Sequence, residues 1–108
     1  DLRVRAHLQG LADDEVPITY GALARVLGLW APGSIAKVTR ALETTMREDA
    51  AANRPFIAAR AVGRGRDKLP GKGYFELAQA FARGPLDGES EADHHAKELL
   101  RVHEVIAR

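Results

Sequence analysis

Residues Thr19 to Asn53, TYGALARVLGLWAPGSIAKVTRALETTMREDAAAN, constrain this chain more than any other stretch. Tyr20, Leu23, Ala24 and Leu27 recur at helical spacing and form one packing stripe. Thr19 is placed to cap that helix, because its hydroxyl can accept a free backbone N–H. Gly28 is placed to end it in the left-handed conformation. Pro32, Gly33 and Ser34 then open a second, longer helical pattern, with Ser34 the candidate cap. Asn53 suits its C-terminal end, and Pro55 prevents continuation. Two helices joined by a tight connection read as a helix-turn-helix. Trp30, the only tryptophan, falls in that connection and is expected to be covered there.

The longer helix divides by face. At about 100° per residue, Ile35, Val38, Leu42 and Met46 share a packing side. Lys37, Arg40, Thr44 and Arg47 fall together on the opposite side. A helix that reads nucleic acid needs this division: an apolar root for rigidity, and cations for phosphates and base edges. Glu43 and Glu48 flank the basic strip, and Glu43 to Arg47 is a helix-supporting pair. The competing reading is therefore an ordinary solvated face of mixed charge.

The 108 residues fit one domain with a modest core. There is no cysteine, which excludes disulfides, thiolate metal sites and a cysteine nucleophile. No apolar run approaches a bilayer span and no signal-peptide pattern opens the chain, so a soluble, cytoplasmic protein is expected. An upstream residue or segment can precede Asp1. The abundance of Ala, Arg and Gly suggests a GC-rich genome. Formal net charge is only +1, which argues against avid non-specific nucleic-acid binding. The distribution is uneven. Arg60, Arg64, Arg66, Lys68 and Lys72 crowd one segment, and Asp87, Glu89, Glu91 and Asp93 crowd another. The acidic group reads as a solvated loop and helix start.

Around this centre, residues 2 to 12 read as a helix packing through Val4, Leu8 and Leu11. Val16-Pro17-Ile18 can supply a small strand. Pro55 to Val62 alternates as a largely covered strand. Gly63 to Gly73, GRGRDKLPGKG, has no packing stripe and occupies the position of a wing, with a short strand possible at Lys68 to Pro70. Gly73 to Arg83 and Glu91 to Ala107 read as two final helices. His95, Leu99, Val102 and Ile106 line the apolar side of the last one.

The chemical motifs are sparse. The Gly-rich loop is neither a Walker loop nor a dinucleotide fingerprint, since the required spacings are missing. Flexible backbone and exposed cations are enough for contact with a DNA backbone or minor groove. His94, His95 and His103 lack metal-ligand spacing, and His95 reads as a satisfied core histidine. Ser34 and Ser90, the only serines, sit in no nucleophile elbow. No catalytic constellation, cofactor or metal is expected.

The segments ITYGALARVLG, PGSIAKVTRAL and RPFIAARAVGRGRDKLPGKGYFELAQAF resemble the C-terminal domain of alkylguanine-DNA alkyltransferases and the alkyltransferase-like proteins. The resemblance covers roughly residues 17 to 82 and is densest at Thr19, Tyr20, Gly21, Leu23, Ala24 and Gly28. It implies a DNA-reading second helix, with Lys37 near the arginine that the family inserts into the duplex. The family's Pro-Cys-His-Arg motif is missing. The corresponding IAARAVG holds no Cys, no His and no Trp, so alkyl transfer through cysteine is impossible.

The resulting expectation is a mostly α chain with a small β element: a winged helix-turn-helix-like core plus two C-terminal helices. The expected function is double-stranded DNA binding without catalysis. Lys37, Arg40, Thr44 and Arg47 would enter the major groove, and Arg64, Arg66, Lys68 and Lys72 would contact phosphates. The alternative is a winged-helix interaction module that homodimerises through Leu99, Val102 and Ile106 of the last helix, with no nucleic-acid role. A minor option is an enzyme that holds a phosphorylated small molecule on the basic loop.

Overall fold

The computed structural model describes residues 2–108 and is mostly helical with one small sheet. The order is α1 (Leu2–Gln9), β1 (Ile18–Thr19), α2 (Tyr20–Val26), α3 (Ser34–Ala51), β2 (Ala61–Val62), α4 (Lys72–Ala80) and α5 (Glu91–Ala107). Short 3₁₀ turns cover Asp13–Glu15 and Ile57–Arg60. Strands β1 and β2 pair in parallel, Ile18 opposite Ala61 and Thr19 opposite Val62, with α2 and α3 forming the crossover. No helix among the described residues is long and apolar enough to cross a membrane.

The caps explain where α2 begins and ends. Thr19 is its N-cap and accepts the backbone N–H of Ala22 at 3.1 Å. At the other end Gly28 takes φ +73°. There the Gly28 N–H reaches the Arg25 carbonyl and the Leu29 N–H reaches the Ala24 carbonyl. That double closure is a Schellman motif and satisfies two carbonyls the helix would otherwise leave free. Asn53 ends α3 in the same way at φ 55°, with Arg54 donating back to the Asp49 carbonyl.

The core collects where α3 crosses the other elements. Val38, Leu42 and Met46 of α3 meet Val4 and Leu8 of α1, Leu23 of α2, and Phe56, Tyr74 and Val102. Phe56 is wholly buried, with Tyr74 edge-on at 6.1 Å and the Arg83 guanidinium over its ring at 3.9 Å. Both contacts are favourable arrangements for an aromatic quadrupole.

Several expectations are corrected. Residues 55 to 62 are covered but not a strand: Ile57–Arg60 winds as a 3₁₀ turn, and only Ala61–Val62 pairs. No strand forms at Lys68 to Pro70, so the basic segment is a loop without a hairpin. The N-cap of α3 is Gly33 at φ +86°, with no side-chain cap bond, and Ser34 is already helical. Ile35, expected on the packing face, is exposed, because α3 projects its first turn past the core. Helix α1 stops at Gln9, although Leu11 is still buried. Ile106 lies mostly past the packed part of α5 and is exposed.

Candidate nucleic-acid interface

Helix α3 presents Lys37, Arg40, Thr44 and Arg47 to solvent along one side. The opposite side, Val38, Leu42 and Met46, is buried, so the cationic face has a fixed root. Arg47 lies 3.9 Å from Glu43, a loose pair on a solvated surface. Among the described residues, no carboxylate lies within ion-pair distance of Lys37 or Arg40. The Thr44 hydroxyl donates to the Arg40 carbonyl at 3.1 Å, which holds its rotamer and leaves its lone pairs outward.

The basic loop begins directly after β2. It is closed by the Gly63 N–H to the Leu69 carbonyl and the Lys68 N–H to the Gly65 carbonyl, with Lys68 at φ 51°. Arg64, Arg66 and Lys68 are exposed. Lys72 reaches toward Glu76 at 3.7 Å, and both are strongly solvated. The far end of the loop is tied to the helix-turn-helix, because the Gly71 N–H donates to the Tyr20 hydroxyl at 2.8 Å. Burial pushes the Tyr20 hydroxyl above its ordinary pKa, the Gly71 hydrogen bond opposing and Glu43 assisting, so it stays protonated at physiological pH.

That tie places the loop's base against α3. Gly71 and Gly73 line a cleft of about 50 Å³ with Thr39, Leu42, Glu43 and Met46. A Cβ on Gly73 would come within 3.3 Å of a Glu43 carboxylate oxygen. Glu43 therefore stands between the loop's base and the cationic strip, and it lowers the positive potential there. Ala58 also lines the cleft. The cleft has room for about one or two waters and is far smaller than a small-molecule pocket of roughly 300 Å³ or more.

Two corrections bear on the site. Trp30, expected to be covered in the turn, is 76 % exposed. Arg60, counted with the basic segment, is buried and turned away: its Nη1 donates to the carbonyls of Leu8 and Leu11 at 3.0 and 3.2 Å. It caps the C-terminal end of α1 rather than meeting solvent. Burial lowers its pKa from the ordinary arginine value, with Asp13 opposing.

Sequence reasoning also missed two buried carboxylates. Asp49 accepts the Ile57 N–H at 3.0 Å and pairs with Arg5 at 2.8 Å and Arg54 at 3.1 Å. Glu98 accepts the Phe56 N–H and pairs with Arg83 and Arg101. Both fall on the inner side of a helix at a core-facing position. A charge there, otherwise unexplained, was the available signal. His95 fits its expected core role: it is buried, with Nε2 2.7 Å from the Ala59 carbonyl.

The acidic group is spent on local structure. Ser90 caps α5 through the Asp93 N–H, and Glu91 and Asp93 occupy the first turn, where the helix dipole favours anions. Glu89 accepts from Leu86 and Lys97, and the Lys97 contact leads in holding its pKa below the carboxylate norm. No family model, no curated protein and no solved structure matches the chain.

Proposed function

We propose that the chain is a non-catalytic double-stranded DNA-binding domain, with α3 entering the major groove and the loop from Gly63 to Gly71, with Lys72 at the start of α4, following the backbone. One observation carries the reading: Lys37 and Arg40 stand exposed on a helix whose other side is buried, with no carboxylate among the described residues within ion-pair distance. Cations left unpaired in this way release counterions from a polyanion when they bind it. Arg64, Arg66 and Lys68 add exposed charge on a loop anchored beside that helix. The resemblance to the alkyltransferase domain agrees with this arrangement and adds no catalytic step, because its nucleophile is missing. Fluorescence anisotropy with a labelled duplex at low salt is the test. Saturable binding supports the reading, and no binding at roughly tens of micromolar, within the range of non-specific affinity even at physiological salt, overturns it.

The second reading, a homodimerising module, is favoured by Leu100 and Val105 of α5, which are exposed large apolar side chains. Val102, expected at that contact, is buried in the core and unavailable. Size measured at two salt concentrations separates the readings: a dimer without DNA affinity supports the second.

A further inference from the structure

The one indole of the chain is held outside the core at the connection between α2 and α3, and its exposure of 76 % is among the largest of any apolar side chain described. It is not isolated. Val26 before it and Ile35 after it are also exposed. Leu29, its chain neighbour, lines a shallow depression with Lys37, Arg40 and Thr44. Trp30 follows Leu29 in the connection that leads into the N-terminal end of α3. Three exposed large apolar side chains thus flank or occupy one connection between helices, next to the cations of α3, and exposed apolar surface of this kind is where a partner docks. The adjacent charge complements a polyanion that also offers flat apolar faces.

Resting on the DNA-binding reading above, we propose that Trp30 is a stacking platform for an exposed nucleobase, so that the preferred ligand is a duplex carrying a single-stranded overhang. Lys37 and Arg40 gain from phosphates whatever the sequence. An indole gains only where a base offers its face. Inside an intact duplex those faces are covered by neighbouring pairs, and opening one step costs at least what a single indole returns. An overhang next to the duplex supplies the face without that cost. The duplex segment engages α3, and the first unpaired bases reach Trp30.

The experiment compares a blunt duplex, the same duplex with a single-stranded overhang, and the same overhang built from abasic units. Wild type, Trp30→Ala and Trp30→Phe are titrated by anisotropy. Indole emission is followed in the wild type, where Trp30 is its only source. The overhang is expected to bind roughly five- to a hundred-fold tighter than the blunt duplex and to quench the emission. The abasic overhang should match the blunt duplex. Trp30→Ala should erase the preference without weakening blunt binding, and Trp30→Phe should keep part of it. Equal affinity for blunt and overhang, or a preference that survives Trp30→Ala, overturns the inference and leaves the DNA reading standing. Binding to none of the three overturns both. Emission that shifts with protein concentration alone assigns the indole to a contact between two copies and also overturns the inference.

Discussion

The buried Glu98 carboxylate accepts the backbone N–H of Phe56 at 2.7 Å, from 42 residues further along the chain. One residue on, the buried Asp49 carboxylate accepts the N–H of Ile57. Two consecutive amides that a strand would pair in a ladder are thus held by side chains from α5 and α3. This frees residues 57 to 60 to wind as a 3₁₀ turn through the core, and it fixes where β2 and the basic loop begin.

Removing that clamp should be costly. Glu98→Ala leaves the Phe56 amide unpartnered and Arg83 without its carboxylate, for a loss of about 3–5 kcal/mol, the range for breaking a buried pair. Arg101→Ala, whose side chain is mostly solvated, should cost under about 1 kcal/mol although it touches the same carboxylate. Urea unfolding of both variants checks the contrast.

His95 should make stability pH-dependent. Burial lowers its pKa, outweighing the Ala59 carbonyl and Glu98, which raise it. The folded state therefore binds fewer protons than the unfolded state, where histidine titrates at about 6.5. Its contribution is complete above that value and is lost as pH falls from there through the lowered folded pKa. His95→Phe should be less stable at pH 8 by about 1 kcal/mol, through the lost hydrogen bond, and its stability should fall less between pH 7 and pH 5. Unfolding midpoints across that range test it, and a parallel pH profile for the two proteins would contradict it.

The two candidate caps should separate cleanly. Thr19→Ala removes a formed cap bond and should cost about 1 kcal/mol. Ser34→Ala removes none and should be neutral or slightly stabilising, since alanine is the better helix former. Thermal unfolding of the pair is enough.

Tyr20→Phe should loosen the loop. The Gly71 amide loses its acceptor, at about 1 kcal/mol. Hydrogen exchange at Gly71 should accelerate, while amides in the middle of α3 stay protected.

The elements that local chemistry decides were readable from the sequence. Thr19 and Gly28 bound α2, and α5 runs over the expected Glu91–Ala107, because caps and left-handed closures act within a few residues. The buried side of α3 followed from its period, apart from Ile35. What failed depended on distant partners. The alternation in PFIAARAV looks like a strand, but Asp49 and Glu98 take the amides that would have made it one. Arg60 reads as one more surface cation until the carbonyls of Leu8 and Leu11 claim it. Trp30 was expected to be covered because tryptophan usually is, and no pattern in the sequence says which indole stays outside.

The most direct test of the DNA-binding account is the salt dependence of duplex affinity for the wild type and the double variant Arg64→Ala, Arg66→Ala. With Lys37, Arg40, Arg64, Arg66, Lys68 and Lys72 on phosphates, the log–log slope should be about −5, and the double variant should bind more weakly with a slope shallower by about 2. A double variant with the affinity and slope of the wild type, or a wild type that binds no duplex at low salt, would contradict it.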